Sequence, residues 1–171
     1  MFDLWRAAKA RRSAARTIRP LVDLSRQRIG AIPDEAWRAP YMIGFLGMLI
    51  TLVAERETDG RIGSEGLALA QLEAWSDITG ISDDLVGEDM CLLSANDDPD
   101  FQLGCNNARR FMSVFTGVHD PADPEIAELY ESNDLLIAQT YVQSPEQAGA
   151  FGKGGDLAAA MWSRFFDECV C

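Results

Sequence analysis

The chain has a single histidine, His119, and four cysteines, Cys91, Cys105, Cys169 and Cys171, in 171 residues. That scarcity excludes much. Zinc sites use Cys or His at spacings such as Cys-x2-Cys followed by a second pair, and no such pattern occurs. A di-iron bundle needs paired Glu-x-x-His motifs, yet the residue three before His119 is Thr116. The cysteines are too few and too unevenly placed for a disulfide framework, and no secretory signal precedes them, so a reducing, cytoplasmic setting is expected. Long apolar runs are missing too. The longest, Tyr41 to Ala54, has 14 residues, against the roughly 20 of a membrane-spanning helix. Strand signals are equally poor: neither Met42–Val53 nor Ala138–Val142 alternates with period two.

What remains is the pattern of an all-α protein. A hydrophobic share of 47% with 25% charged residues is ordinary for a packed domain. The Ala- and Arg-rich residues Phe2 to Thr17 predict a first helix, and Pro20 is expected to end or kink it before a short helix from Leu21 to Ile29. Pro40 opens the most apolar segment, roughly Tyr41 to Glu57. Its apolar residues go all the way round, so it should be the central, buried helix, with Gly44 and Gly47 letting neighbours approach closely. Further starts are read at Ser64, Ser82, Asp98-Pro99, Asp123-Pro124, Ser144-Pro145 and Asp156. Gly80 and Gly117 read as stops. The expectation is a single-domain helical bundle, residues 1–171, of about seven or eight helices, with 1–30 as a basic N-terminal helical arm.

Charge is unevenly spread. Residues 1–28 hold eight Lys or Arg against Asp3 and Asp23, a net of +6. The whole chain stands at −12, which leaves −18 on the other 143 residues. An acidic body repels nucleic acid and suits a basic partner protein, or the basic arm of a neighbouring copy. The Arg-rich start shares its composition with organellar targeting segments, but Asp3 and Asp23 depart from that pattern.

Candidate chemistry is sparse. Cys91 and Cys105 are read as small buried apolar residues. Cys169 and Cys171 form a terminal Cys-x-Cys without the further ligands a metal would need. His119 beside Asp120 has no nucleophile placed near it and reads as a loop residue. The acids Asp77, Asp83, Asp84, Glu88, Asp89, Asp97, Asp98 and Asp100 match no calcium-loop pattern and read as a solvated, helix-capping face. The glycine-rich segments at 60–66 and 152–155 lack the spacing of phosphate-binding loops. Neither a metal nor an organic cofactor is expected.

Two clusters remain as candidate sites. Trp5, Arg6, Arg11, Arg12 and Arg16 make the basic arm a partner-binding helix, unless it simply packs on its own acidic body. Arg109 and Arg110, a rare basic pair in that body, are the candidate for holding an anionic ligand. The leading expectation is a non-enzymatic protein-binding module of the immunity-protein, inhibitor or assembly-chaperone type, which binds a partner protein or a second copy. The alternatives are a helical enzyme or anionic-ligand-binding domain, using carboxylates with a divalent metal or the Arg109–Arg110 pair, and a peripheral protein held at a membrane surface by its first helix.

Overall fold

The computed structural model describes residues 2–82, 86–131 and 144–170, and these form an all-α bundle with no strand among them. Helix α1 (Phe2–Ile29) runs the length of one side. The short α2 (Asp34–Arg38) leads into α3 (Pro40–Glu57), and α4 (Ser64–Thr79), α5 (Val86–Ala95), α6 (Pro99–Thr116) and α7 (Pro124–Glu131) follow. The last described part holds α8 (Pro145–Ala150), a 3-10 turn at Gly152–Gly154, and α9 (Gly155–Trp162). A π-helical turn at Ser163–Asp167 then leads to a last turn at Glu168–Val170. No helix is long and apolar enough to cross a membrane, among the described residues.

Helix α3 is the central element, as its all-round apolar pattern predicts. It packs against α1, α4, α5 and α6, and Phe45, Leu46, Leu49 and Ile50 are buried on different sides of it. Its glycines admit two different neighbours. Gly44 lies against the backbone of Phe101 in α6, and Gly47 lies under the methyl end of Met90 in α5. The approach to α6 is mutual, because Gly104 sits against the backbone of Tyr41 and Phe45. Around this seam the aromatic core closes: Trp162 stacks on Phe166 at 4.5 Å between ring centroids and contacts Phe111 at 5.3 Å and Phe45 at 5.9 Å.

Three local expectations need correction. Proline 20 does not end α1, which continues unbroken through it. The residue is exposed, as is Arg16 four positions earlier, so the carbonyl that loses its intrahelical donor can turn to water. Meanwhile buried Ile18, Leu21 and Val22 hold both halves to one core. Ser64 does not cap α4: Gly63 occupies that position without a side-chain cap, and Ser64 lies inside the helix. Nor does Asp156 cap the last helix, which starts one residue earlier and carries Asp156 in its first turn. Asp98 does cap α6, its Oδ1 accepting from the Phe101 N–H at 2.9 Å. Asp83 and Asp84, which follow the start expected at Ser82, residues 132–143 after the start expected at Asp123-Pro124, and Cys171 lie outside the described residues.

Candidate functional site

Helix α1 divides its basic residues between two faces. Arg11 follows Ala7 by four residues and precedes Ala14 and Ile18 by three and seven, so it shares the edge of the buried stripe. It is spent on α4: Nε donates to Asp77 Oδ2 at 2.7 Å, one terminal nitrogen donates to Asp77 Oδ1 at 3.0 Å and the other to Glu73 at 2.9 Å. The bidentate bond from Arg11 holds the Asp77 carboxyl below its usual range. Lys9 and Ser13 do the same for Glu57, with Lys9 contributing most and the charge of Arg16 adding a little. Further along, Arg26 donates to the Thr79 carbonyl at 2.9 Å, and Arg28 pairs with buried Asp167.

The opposite face looks outward. Trp5 is 61% exposed, and Arg12, Arg16 and Arg19 follow on the same side. Lys9 sits 5.8 Å from the Trp5 ring centroid. Arg12 donates only to its own helix, to the Ala8 carbonyl, and Arg6 is 3.6 Å from Asp3 one turn away. Of the five arm residues singled out from sequence, Trp5, Arg12 and Arg16 thus share the free side of α1, Arg6 lies between faces, and Arg11 belongs to the scaffold.

Arg109 and Arg110 diverge. Exposed Arg109 donates to Asn106, whereas half-buried Arg110 donates to Asp123 at 3.3 Å and to Asn107. They are brought to no common pocket. Cys105 is buried, as expected, and burial pushes its thiol up. Cys91 departs from expectation: it is exposed on α5, and Cys169 is exposed as well. His119 lies in the loop after α6, its Nδ1 sealed from solvent without a hydrogen-bond partner among the described residues. Among those residues, no three His, Cys, Asp or Glu side chains are placed to share a metal ion.

A concavity lies elsewhere, away from both clusters singled out from sequence. Between α4 and α5 runs an open trough with α3 as its floor and Phe101 and Cys105 of α6 at one end. It divides into cavities of about 530 Å³ and 990 Å³ that share Ala68, Leu72, Gly87 and Cys91. Small side chains make the space: Ala68 on one wall, and Gly87, Ser94 and Ala95 on the other. Met48 and Met90 line it with flexible thioethers. Leu69 and Leu92 stand at the outer cavity, 36% and 61% exposed, although leucine is ordinarily an interior residue.

Charge singles out the same face. From Arg61 to Arg109 there is no Lys, Arg or His, while ten Asp and Glu intervene. Arg11 from α1 neutralises Glu73 and Asp77, and Arg38 from α2 lines a small pocket with Asp89. A surplus of acid remains, with Glu88 and Asp89 on the lip of the trough itself. No protein family, curated protein or solved structure matches the chain.

Proposed function

We propose that this protein is a non-enzymatic protein-binding module that receives a basic partner on the face made by α3, α4 and α5. The observation that carries the reading is the trough: an apolar channel left open on a stretch of chain with acids and no basic residue. An apolar concavity edged by charged residues is a form that protein–protein contact sites take. The acid around it repels nucleic acid and attracts cationic surfaces. Trp5, Arg12 and Arg16 on the outer side of α1 supply a second surface of opposite charge, while Arg11 serves the scaffold. Unpaired thiols at Cys91, Cys105 and Cys169 favour the cytoplasmic location.

The test compares the full chain with the double substitution Leu69→Asp, Leu92→Asp as bait for affinity capture from source-cell extract at low salt. Both residues are exposed enough for the variant to keep its fold, which circular dichroism checks. At least one protein is expected to be retained by the parent and lost by the variant. Identical captured sets, or an empty parent bait, would overturn the proposal.

A further inference from the structure

We infer that the occupant of the α4–α5 trough is an amphipathic helix of a partner protein, apolar on its buried side and rich in Lys or Arg on its flanks. This deepens the protein-binding reading and rests on it.

Three features of the trough select that occupant. The first concerns backbone hydrogen bonds. Every wall is a helix, whose amides and carbonyls beyond the end turns bond within it, and no sheet edge stands among the described residues. In the inner cavity an extended segment would bury its own N–H and C=O groups beside the polar side chains of Thr51, Gln71 and Ser94, and Gln71 already donates to Thr51 at 2.7 Å. A helical segment brings its backbone bonds with it, so it can enter an apolar channel at little polar cost. The second feature is the lining. Met48 and Met90 adjust to anchors of different shape, and Leu69 and Leu92 offer apolar side chains from opposite walls. The third is charge. Glu88 and Asp89 on the lip, with Glu65 one turn before Leu69, favour Lys and Arg beside the apolar stripe and disfavour acids.

The outward face of α1 in a second copy has related chemistry, with Trp5 followed by Arg12, Arg16 and Arg19. It is the weaker fit. Its one large apolar residue, Trp5, stands at one end with no further apolar anchors spaced along the face, and the inner side of α1 is already packed against α3 and α4.

The experiment titrates the full chain with three labelled synthetic peptides of about 16 residues, long enough for a helix to form once bound. One carries leucines at i, i+3, i+4 and i+7 with lysines elsewhere. The second replaces the lysines with glutamates, and the third scrambles the Leu–Lys sequence so that no apolar face forms. The Leu–Lys peptide should bind saturably and gain helical circular dichroism. It should weaken by about tenfold or more in Leu69→Asp, Leu92→Asp, as expected when central apolar anchors are lost. Reversing the lip with Glu88→Lys, Asp89→Lys should shift preference toward the Leu–Glu peptide. No saturable Leu–Lys binding, equal affinity for the scrambled peptide, or binding without helix gain would each overturn the inference. Sedimentation of the chain alone covers the remaining occupant: salt-sensitive self-association abolished by Leu92→Asp would overturn it in favour of a second copy. If peptides fail while captured proteins still depend on Leu69 and Leu92, the binding-module reading stands and only the helical, basic occupant falls.

Discussion

The seam between α3 and α6 is tight enough for one methyl group to test the fold. Gly104 is buried against α3, and a Cβ there would overlap the Tyr41 carbonyl oxygen and lie 2.8 Å from the Phe45 nitrogen. Neither atom can recoil on its own. The Tyr41 hydroxyl donates to the Phe165 carbonyl and accepts from Asn107, while Phe45 is anchored among Phe111, Trp162 and Phe166. The helices must therefore separate, and the aromatic cluster loosens with them. Gly104→Ala gains about 1 kcal/mol of helix propensity. Against this stands an overpacking cost of about 1–3 kcal/mol, at its upper end here because the clash is with backbone. The net expectation is a loss of about 2 kcal/mol, or roughly 4–8 °C in Tm for a chain of this size. Gly87→Ala is the control. Its Cβ would meet nothing within 4 Å, so it should gain up to about 1 kcal/mol. Urea unfolding followed by tryptophan fluorescence measures both. A Gly104→Ala protein as stable as the parent, or stabilised like Gly87→Ala, would refute the packing.

The α1–α4 clasp has a pH signature. Because Asp77 titrates below its usual range in the folded state, its contribution is present above the ordinary carboxylate pKa and lost as pH falls through the folded value. Arg11→Met should cost about 1 kcal/mol at neutral pH, since the pair is partly exposed, and the gap from the parent should close below about pH 4; a pH-independent gap would count against the clasp. Thiol labelling reads the cysteines: Cys91 should react in the native protein, Cys169 more slowly because burial pushes its thiol up, and Cys105 only after unfolding, as peptide mapping by mass spectrometry will report. A bulky adduct on Cys91 should also block the Leu–Lys peptide, because Cys91 lines both parts of the trough.

Local sequence signals located much of the bundle because they are local in cause. The all-round apolar character of the segment from Tyr41 predicts a central helix, and α3 is buried along most of its length, with Met48 and Thr51 half-buried in the floor of the trough. Gly80 and Gly117 end their helices with φ of 81° and 74°, in the left-handed region glycine enters freely. Pro20 misled because its cost depends on whether the freed carbonyl meets water or core, which only the helix register decides. That register was readable: Arg11 shares the stripe of Ala7, Ala14 and Ile18, whereas Arg12, Arg16 and Arg19 do not. The trough gave no comparable sign. It is built from small residues on separate helices, Ala68, Gly87 and Ala95, and space left by missing side chains has no local pattern. Its faint signals were leucines at 69 and 92 beyond the buried faces of their helices, and ten acids without one basic residue between Arg61 and Arg109.

The placement of charge also bears on what the trough is for. The basic residues of α1 that point inward meet acids at particular positions: Lys9 at Glu57, Arg11 at Asp77 and Glu73, Arg28 at Asp167. Those acids need no outside partner. Glu88 and Asp89 are different, because they open α5, where acids favour the helix dipole, and also edge an apolar channel. Helix-end stabilisation accounts for acids in the first turn, but not for Cys91 and Leu92 exposed one turn later. An isolated α5 serving only to cover α3 would gain by turning its apolar residues inward, as it does with Val86. Acid and apolar side chains exposed together on one short helix meet the requirements of a surface that discriminates: apolar contact supplies affinity, and like-charge repulsion rejects acidic helices that would otherwise fit the same channel.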